Sequence, residues 1–96
     1  QISQGDAAGQ ARVAALNALA AAADVAGGVN NIRRVVRVVV YVASTADFTA
    51  QPAVANGASE LLGEIFGDAG RHIRSAIGVA SLPLGAPVKV ELTVQV

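Results

Sequence analysis

The chain has no cysteine, no methionine and no tryptophan, and one Tyr and two Phe are its only aromatic residues. Without thiols there can be no disulfide, no thiolate nucleophile and no thiolate metal site. That usage fits a reducing compartment, so a cytoplasmic location is the expectation. A single histidine falls short of the three or four ligands that zinc sites need, and no metal or other cofactor is expected. So few rings provide no stacking platform for a nucleic-acid strand. Charge of either sign is also lacking in excess. Seven basic and seven acidic residues cancel, whereas a polyanion-binding surface needs a clear basic surplus, so no nucleic-acid partner is expected. The apolar segments are too short or too interrupted by Asp, Arg or Gln to span a bilayer. No stretch has the charged start, apolar run and cleavage site of a signal peptide.

What is present in quantity is alanine and valine. Apolar residues make up 53% of the chain, yet each of these small side chains buries little area. A single domain over residues 1–96 built from them has a thin core, and burial between subunits is one way to supplement it.

Ser3 and Asp6 loosely match a capping box, with Asp in place of Glu or Gln. The Ala-rich run to Ala26 then predicts a helix. Its bulkier residues place Val13, Leu16, Ala20 and Ala23 on one face, with Leu19 beside them, and Gly27-Gly28 ends it. Ile32 to Ala43 is β-branched almost throughout and predicts a strand. Strict alternation gives it an apolar face of Val36, Val38, Val40 and Val42. Its other face is mixed: Arg33, Val35, Arg37, Val39 and Tyr41. That second face is too apolar for free solvent and too polar for an ordinary core, which suits an interface between copies.

A turn at Ser44 to Asp47, capped by Thr45 or Asp47, leads into a second helix from Asp47 to Phe66. Val54, Leu61, Leu62, Ile65 and Phe66 form its expected buried stripe, with Glu60 and Glu64 outward. Gly67-Asp68-Ala69-Gly70 stops it. Strands are expected at Ile73 to Ser81 and Pro87 to Val96. The last alternates Val88, Val90, Leu92, Val94 and Val96 with Lys89, Glu91, Thr93 and Gln95. Gly57, Gly63 and Gly5-x-x-x-Gly9 lack the preceding strand that a phosphate loop requires.

The run Arg74-Ser75-Ala76-Ile77-Gly78-Val79-Ala80-Ser81-Leu82-Pro83, followed by Val88-Lys89-Val90-Glu91, resembles the signature of the YjgF/RidA family, also known as endoribonuclease L-PSP-like. Val40-Tyr41-Val42 with Asp47-Phe48 is similar to that family's strand-to-helix junction. The resemblance implies an α+β, chorismate-mutase-like fold, with two helices on one face of a mixed sheet and three copies forming a barrel-like homotrimer. It also implies a β-hairpin ahead of the first helix, the element at which residues 1–96 begin.

The resemblance further implies that sites lie between neighbouring subunits and that small 2-imino or 2-oxo acids are the ligands. Arg74 would then hold the ligand carboxylate, a role suited to the rigid donor fork of a guanidinium. A main-chain group two residues on, at Ala76, would also touch ligand. The plainer alternative is Arg74 paired with a carboxylate such as Glu91. Tyr41 joins the binding candidates as a ring at an intersubunit contact, with simple packing as its alternative.

The family's deamination hydrolyses an imine to a ketone and ammonia, using a water poised by a carboxylate. The first Glu position of the last strand holds Lys89 here, and the second is kept as Glu91. A charged lysine cannot take a proton from water, and beside Arg74 it would favour binding an anion over hydrolysis. The family's helix Asn position holds Ser59, with Asn56 nearby. His72 shows no Ser or Asp partner pattern and reads as a loop or strand-edge histidine. Alternation sends Arg33 and Arg37 to one face and Arg34 to the other, so they form no single patch. Two readings stay open: an imine or enamine deaminase, and a non-catalytic trimer that binds small carboxylates.

Overall fold

The computed structural model describes residues 4–43 and 51–96. Ser3, the turn at Ser44 to Asp47 with its candidate caps, and the Asp47-Phe48 junction lie outside the described residues. Five main elements follow in the expected order: α1 (Gln4–Ala26), β1 (Arg34–Ala43), α2 (Gln51–Phe66), β2 (Ile73–Val79) and β3 (Val88–Gln95). Short 3-10 turns precede each strand at Val29–Asn31, Gly67–Gly70 and Pro83–Gly85. No helix among the described residues is long and apolar enough to cross a membrane.

The sheet runs β2-β1-β3, with β1 parallel to β2 and antiparallel to β3. The parallel pair is joined through α2, because parallel neighbours need a crossover whereas antiparallel ones do not. Both helices cover one face: α1 packs on α2 and β3, while α2 lies over β1 and β2. The result is the expected α+β arrangement, two helices on one face of a mixed sheet.

The buried face of α1 is not the one that its bulky residues suggest. Ala7, Ala11, Ala15 and Leu19 are buried, whereas Val13 and Leu16 are about half exposed. The reason lies in the helix pair. A Cβ added at Gly57 of α2 would sit 2.0 Å from the Ala8 carbonyl oxygen, so the two backbones nearly touch. Only small side chains fit such an approach, and the alanine row at every fourth residue provides them. Close packing selects small residues here, and Val13 and Leu16 face outward. Gly27, at φ 87, ends the helix, and the Gly28 amide donates back to the Ala23 carbonyl at 2.7 Å, closing the last turn.

In α2 the buried residues are Val54, Ala55, Ala58, Leu61 and Leu62. Phe66 packs on this core from its edge, but Ile65 is 43% exposed, contrary to expectation.

In β1 the expected alternation changes phase at one point. The pairing with β3 slips between Val35 and Arg37, a β-bulge that leaves Val36 as the extra residue. Val35, not Val36, therefore joins Val38, Val40 and Val42 in the core. The bulge also brings Arg34 to the same face as Arg37, where its Nε donates to Gln95 Oε1 at 3.0 Å. In β3, Val88, Val90 and Leu92 meet the core while Lys89, Glu91, Thr93 and Gln95 are exposed, as alternation requires.

Candidate functional site

Arg74 lies beside Val38 in the parallel register, and Val38 faces the helices. Its side chain therefore rises on the helix side of the sheet at the outer strand, where α2 passes over β2. The α2 residues Asn56 and Ser59 sit one turn apart and present side chains to this margin. Arg74 Nη1 donates to Asn56 Oδ1 at 2.5 Å and stands 3.5 Å from Ser59 Oγ. A guanidinium can only donate, so Asn56 must offer its oxygen and turn its amide Nδ2 away. Among the described residues the ion pairs are Arg12–Glu64, Arg71–Asp68 and Lys89–Glu91, and none involves Arg74.

His72, just ahead of β2, completes the cluster. Its Nδ1 lies 2.5 Å from the Gly70 carbonyl oxygen and its Nε2 lies 3.0 Å from Ser59 Oγ. The carbonyl can only accept, so Nδ1 carries the hydrogen. In the neutral ring Nε2 is then an acceptor for the Ser59 hydroxyl. Gly70 is fixed in turn by the end of α2, since a Cβ there would lie 2.6 Å from the Leu62 carbonyl oxygen. Ser59 and His72 are half-buried, while Asn56 and Arg74 are exposed.

The other candidates gather elsewhere. Tyr41, Lys89 and Glu91 share the uncovered face, through the pairing of Tyr41 with Lys89 and of Val39 with Glu91. The Tyr41 hydroxyl donates to Glu91 Oε1 at 3.1 Å, Lys89 Nζ lies 3.4 Å from Glu91 Oε2, and the same ammonium sits 5.6 Å from the Tyr41 ring centre. Within one chain, Lys89 is thus not beside Arg74 but on the opposite face and the opposite flank of β1. The Glu91 carboxylate is engaged there and does not pair with Arg74. Ala76 lies beside Val40 and packs its methyl on the core, leaving its main chain in the outer strand β2. No group of acidic, His or Cys side chains among the described residues could hold a metal ion.

The Ser59–His72 contact escaped the sequence reading. The two are 13 residues apart, and the intervening turn decides whether they meet. The helical spacing of Asn56 and Ser59 was the one available signal.

A model of the family described as "YjgF/chorismate mutase-like, putative endoribonuclease" matches residues 1–96. The chain belongs to this family. Protein TCP17 of Trypanosoma cruzi is 43% identical over 95 residues, which cover 98% of this chain and 58% of that protein. The crystal structure of Atu1372 from Agrobacterium tumefaciens, a protein of unknown function, superposes with a TM-score of 0.95 at 38% identity, covering 99% of this chain and 61% of that one. That of a "putative endoribonuclease" from Shewanella oneidensis gives 0.95 at 29% identity, covering 100% of this chain and 64% of that one. The family implied by the Arg74-to-Pro83 motif, and the fold of two helices on a mixed sheet, are therefore established. This YjgF chain spans less than two thirds of the length of each of these relatives.

Proposed function

We propose that this YjgF-family chain binds a small 2-oxo or 2-imino acid through Arg74 and hydrolyses the imine to the oxo acid and ammonia. The observation that carries the reading is the state of the Arg74 guanidinium. It is steered by two neutral acceptors, Asn56 Oδ1 and Ser59 Oγ, with no acidic partner among the described residues. Its remaining N–H donors are positioned by the cluster and face no carboxylate among the described residues, a place that a ligand carboxylate would complete. The main chain of β2 near Ala76 runs alongside as a second contact. The uncovered sheet face, where Ile73 is 69% and Ile77 41% exposed beside Arg34, Arg37 and Tyr41, is the surface through which three copies would associate. Such packing would bring Glu91 and Lys89 of one copy toward the cleft of another.

A non-catalytic carboxylate-binding trimer is the second reading, and one observation favours it. Lys89 Nζ at 3.4 Å and the Tyr41 hydroxyl at 3.1 Å already occupy the Glu91 carboxylate oxygens, where a catalytic water would have to be held.

Turnover of freshly generated 2-imino acids, measured beside binding of the corresponding 2-oxo acids, separates the two. Arg74→Ala should weaken binding on the order of ten- to hundredfold, the worth of a charge-assisted pair. Unchanged binding would remove the site. Lys89→Glu should raise turnover if Glu91 is restrained by the lysine. Light scattering reads the assembly.

A further inference from the structure

We infer that Ser59 is an activated nucleophile, with His72 as its base, and that the cluster at the α2–β2 margin can take an acyl group from a small ester. The inference stands on side-chain geometry alone and does not depend on a carboxylate ligand at Arg74.

The requirements for such a site are a nucleophile within hydrogen-bond reach of a base, a group that orients the base, and donors where negative charge develops. The first is met by Ser59 Oγ at 3.0 Å from His72 Nε2. Next, the Gly70 carbonyl accepts from His72 Nδ1 and so fixes the tautomer that leaves Nε2 free to accept a proton. Donors come from the Arg74 guanidinium: its Nη1 is directed at Asn56 Oδ1 and stands 3.5 Å from Ser59 Oγ, which holds the Nε and Nη2 N–H groups of the same fork beside the nucleophile. Asn56 and Arg74 are exposed and Ser59 is half-buried, so a small acyl compound can approach from solvent. A structural hydroxyl in a helix is adequately served by a helix carbonyl. This one instead meets an imidazole whose other nitrogen is already held.

The chemistry balances without any further cofactor. Ser59 Oγ bonds to the ester carbon as its proton passes to His72 Nε2. The carbonyl electron pair moves to oxygen, beside the Arg74 guanidinium. Collapse breaks the bond to the leaving oxygen, which takes the proton from His72. Water then attacks the acyl-serine, giving up a proton to His72, which returns it to Ser59 Oγ as the acid departs.

A fluorophosphonate tests the nucleophile directly, since the bond from Ser59 Oγ to phosphorus forms as fluoride leaves. Intact-mass and peptide mapping should show one adduct on Ser59, absent in Ser59→Ala and formed at least tenfold more slowly in His72→Gln. His72 is the single histidine of the chain, so diethyl pyrocarbonate provides the same test in the native protein if His72→Gln does not fold. Carbethoxylation should block the adduct, and hydroxylamine should restore it. Absence of an adduct, an adduct elsewhere, or labelling indifferent to loss or blockage of His72 overturns the inference. Oxo-acid binding by the parent chain, compared with Arg74→Ala, reports separately on the carboxylate site, so the two proposals can fail independently.

Discussion

The two faces of the sheet are made from the same three strands and have opposite characters. On the covered face Val35, Val38 and Val40 are fully buried beneath Leu62 and Val54. On the other, the same strand β1 shows Arg34, Arg37 and Tyr41, flanked by exposed Ile73 and Ile77 on β2 and by Lys89 and Glu91 on β3. The covered face is uniform because it stabilises one chain. The uncovered face mixes exposed isoleucines with engaged charges, a composition that suits contact with another protein surface better than water. Arg74 belongs to neither: it sits on the helix side but at the outer strand, where burial ends and donors can face a ligand.

Paired substitutions sharpen this contrast most strongly. Leu62→Ala should cost about 2–5 kcal/mol, since Leu62 is fully buried and its loss leaves a cavity. Ile73→Ala on the open face should change the chain's own stability by no more than about 0.5 kcal/mol. Urea unfolding at several protein concentrations checks both. An Ile73→Ala cost that grows with concentration would mean that another copy covers that face, and equal costs for the two variants would break the contrast.

A smaller effect tests the bulge that divides the two faces. Val35→Ala should cost about 2 kcal/mol, from lost apolar burial, whereas Val36→Ala should cost under about 1 kcal/mol because Val36 is the half-exposed extra residue. The reverse order in urea midpoints would restore the strict alternation and return Arg34 to the covered side.

That bulge marks where the sequence stopped being legible. β3 could be read outright, because each apolar residue from Val88 to Leu92 alternates with a polar one. In β1 the valine-rich run disguises an extra residue, since Val35 and Val36 are chemically identical and only the cross-strand partner distinguishes them. The burial of α1 was hidden for a related reason. Alanine carries little contrast, and the face was set by the approach of Gly57 to Ala8, a tertiary fact. At the site, Arg74 was visible through its motif, and its separation from Glu91 followed from which side of the sheet each occupies. The Ser59–His72 pair depended on how the Gly67–Gly70 turn returns the chain beneath α2, which no local pattern encodes.

The smallest expected effect concerns the outer surface of the covering layer, where Arg12 of α1 grips Glu64 of α2. The guanidinium donates to both carboxylate oxygens, at 2.6 and 3.2 Å. That hydrogen bonding, followed by the attraction of opposite charges, holds the Glu64 carboxyl below its ordinary range and the Arg12 guanidinium above its own. Because the folded carboxyl binds its proton less readily than the unfolded one, the pair contributes stability above the unfolded carboxyl range. That contribution fades as pH falls through the lowered folded value. Both partners are exposed, so the gain is small and salt-sensitive. Glu64→Gln should therefore unfold at slightly lower urea than the parent chain at neutral pH, and the two midpoints should converge in acid or at high salt. A gap that persists with Glu64 protonated would assign the loss to packing between the helices and not to charge.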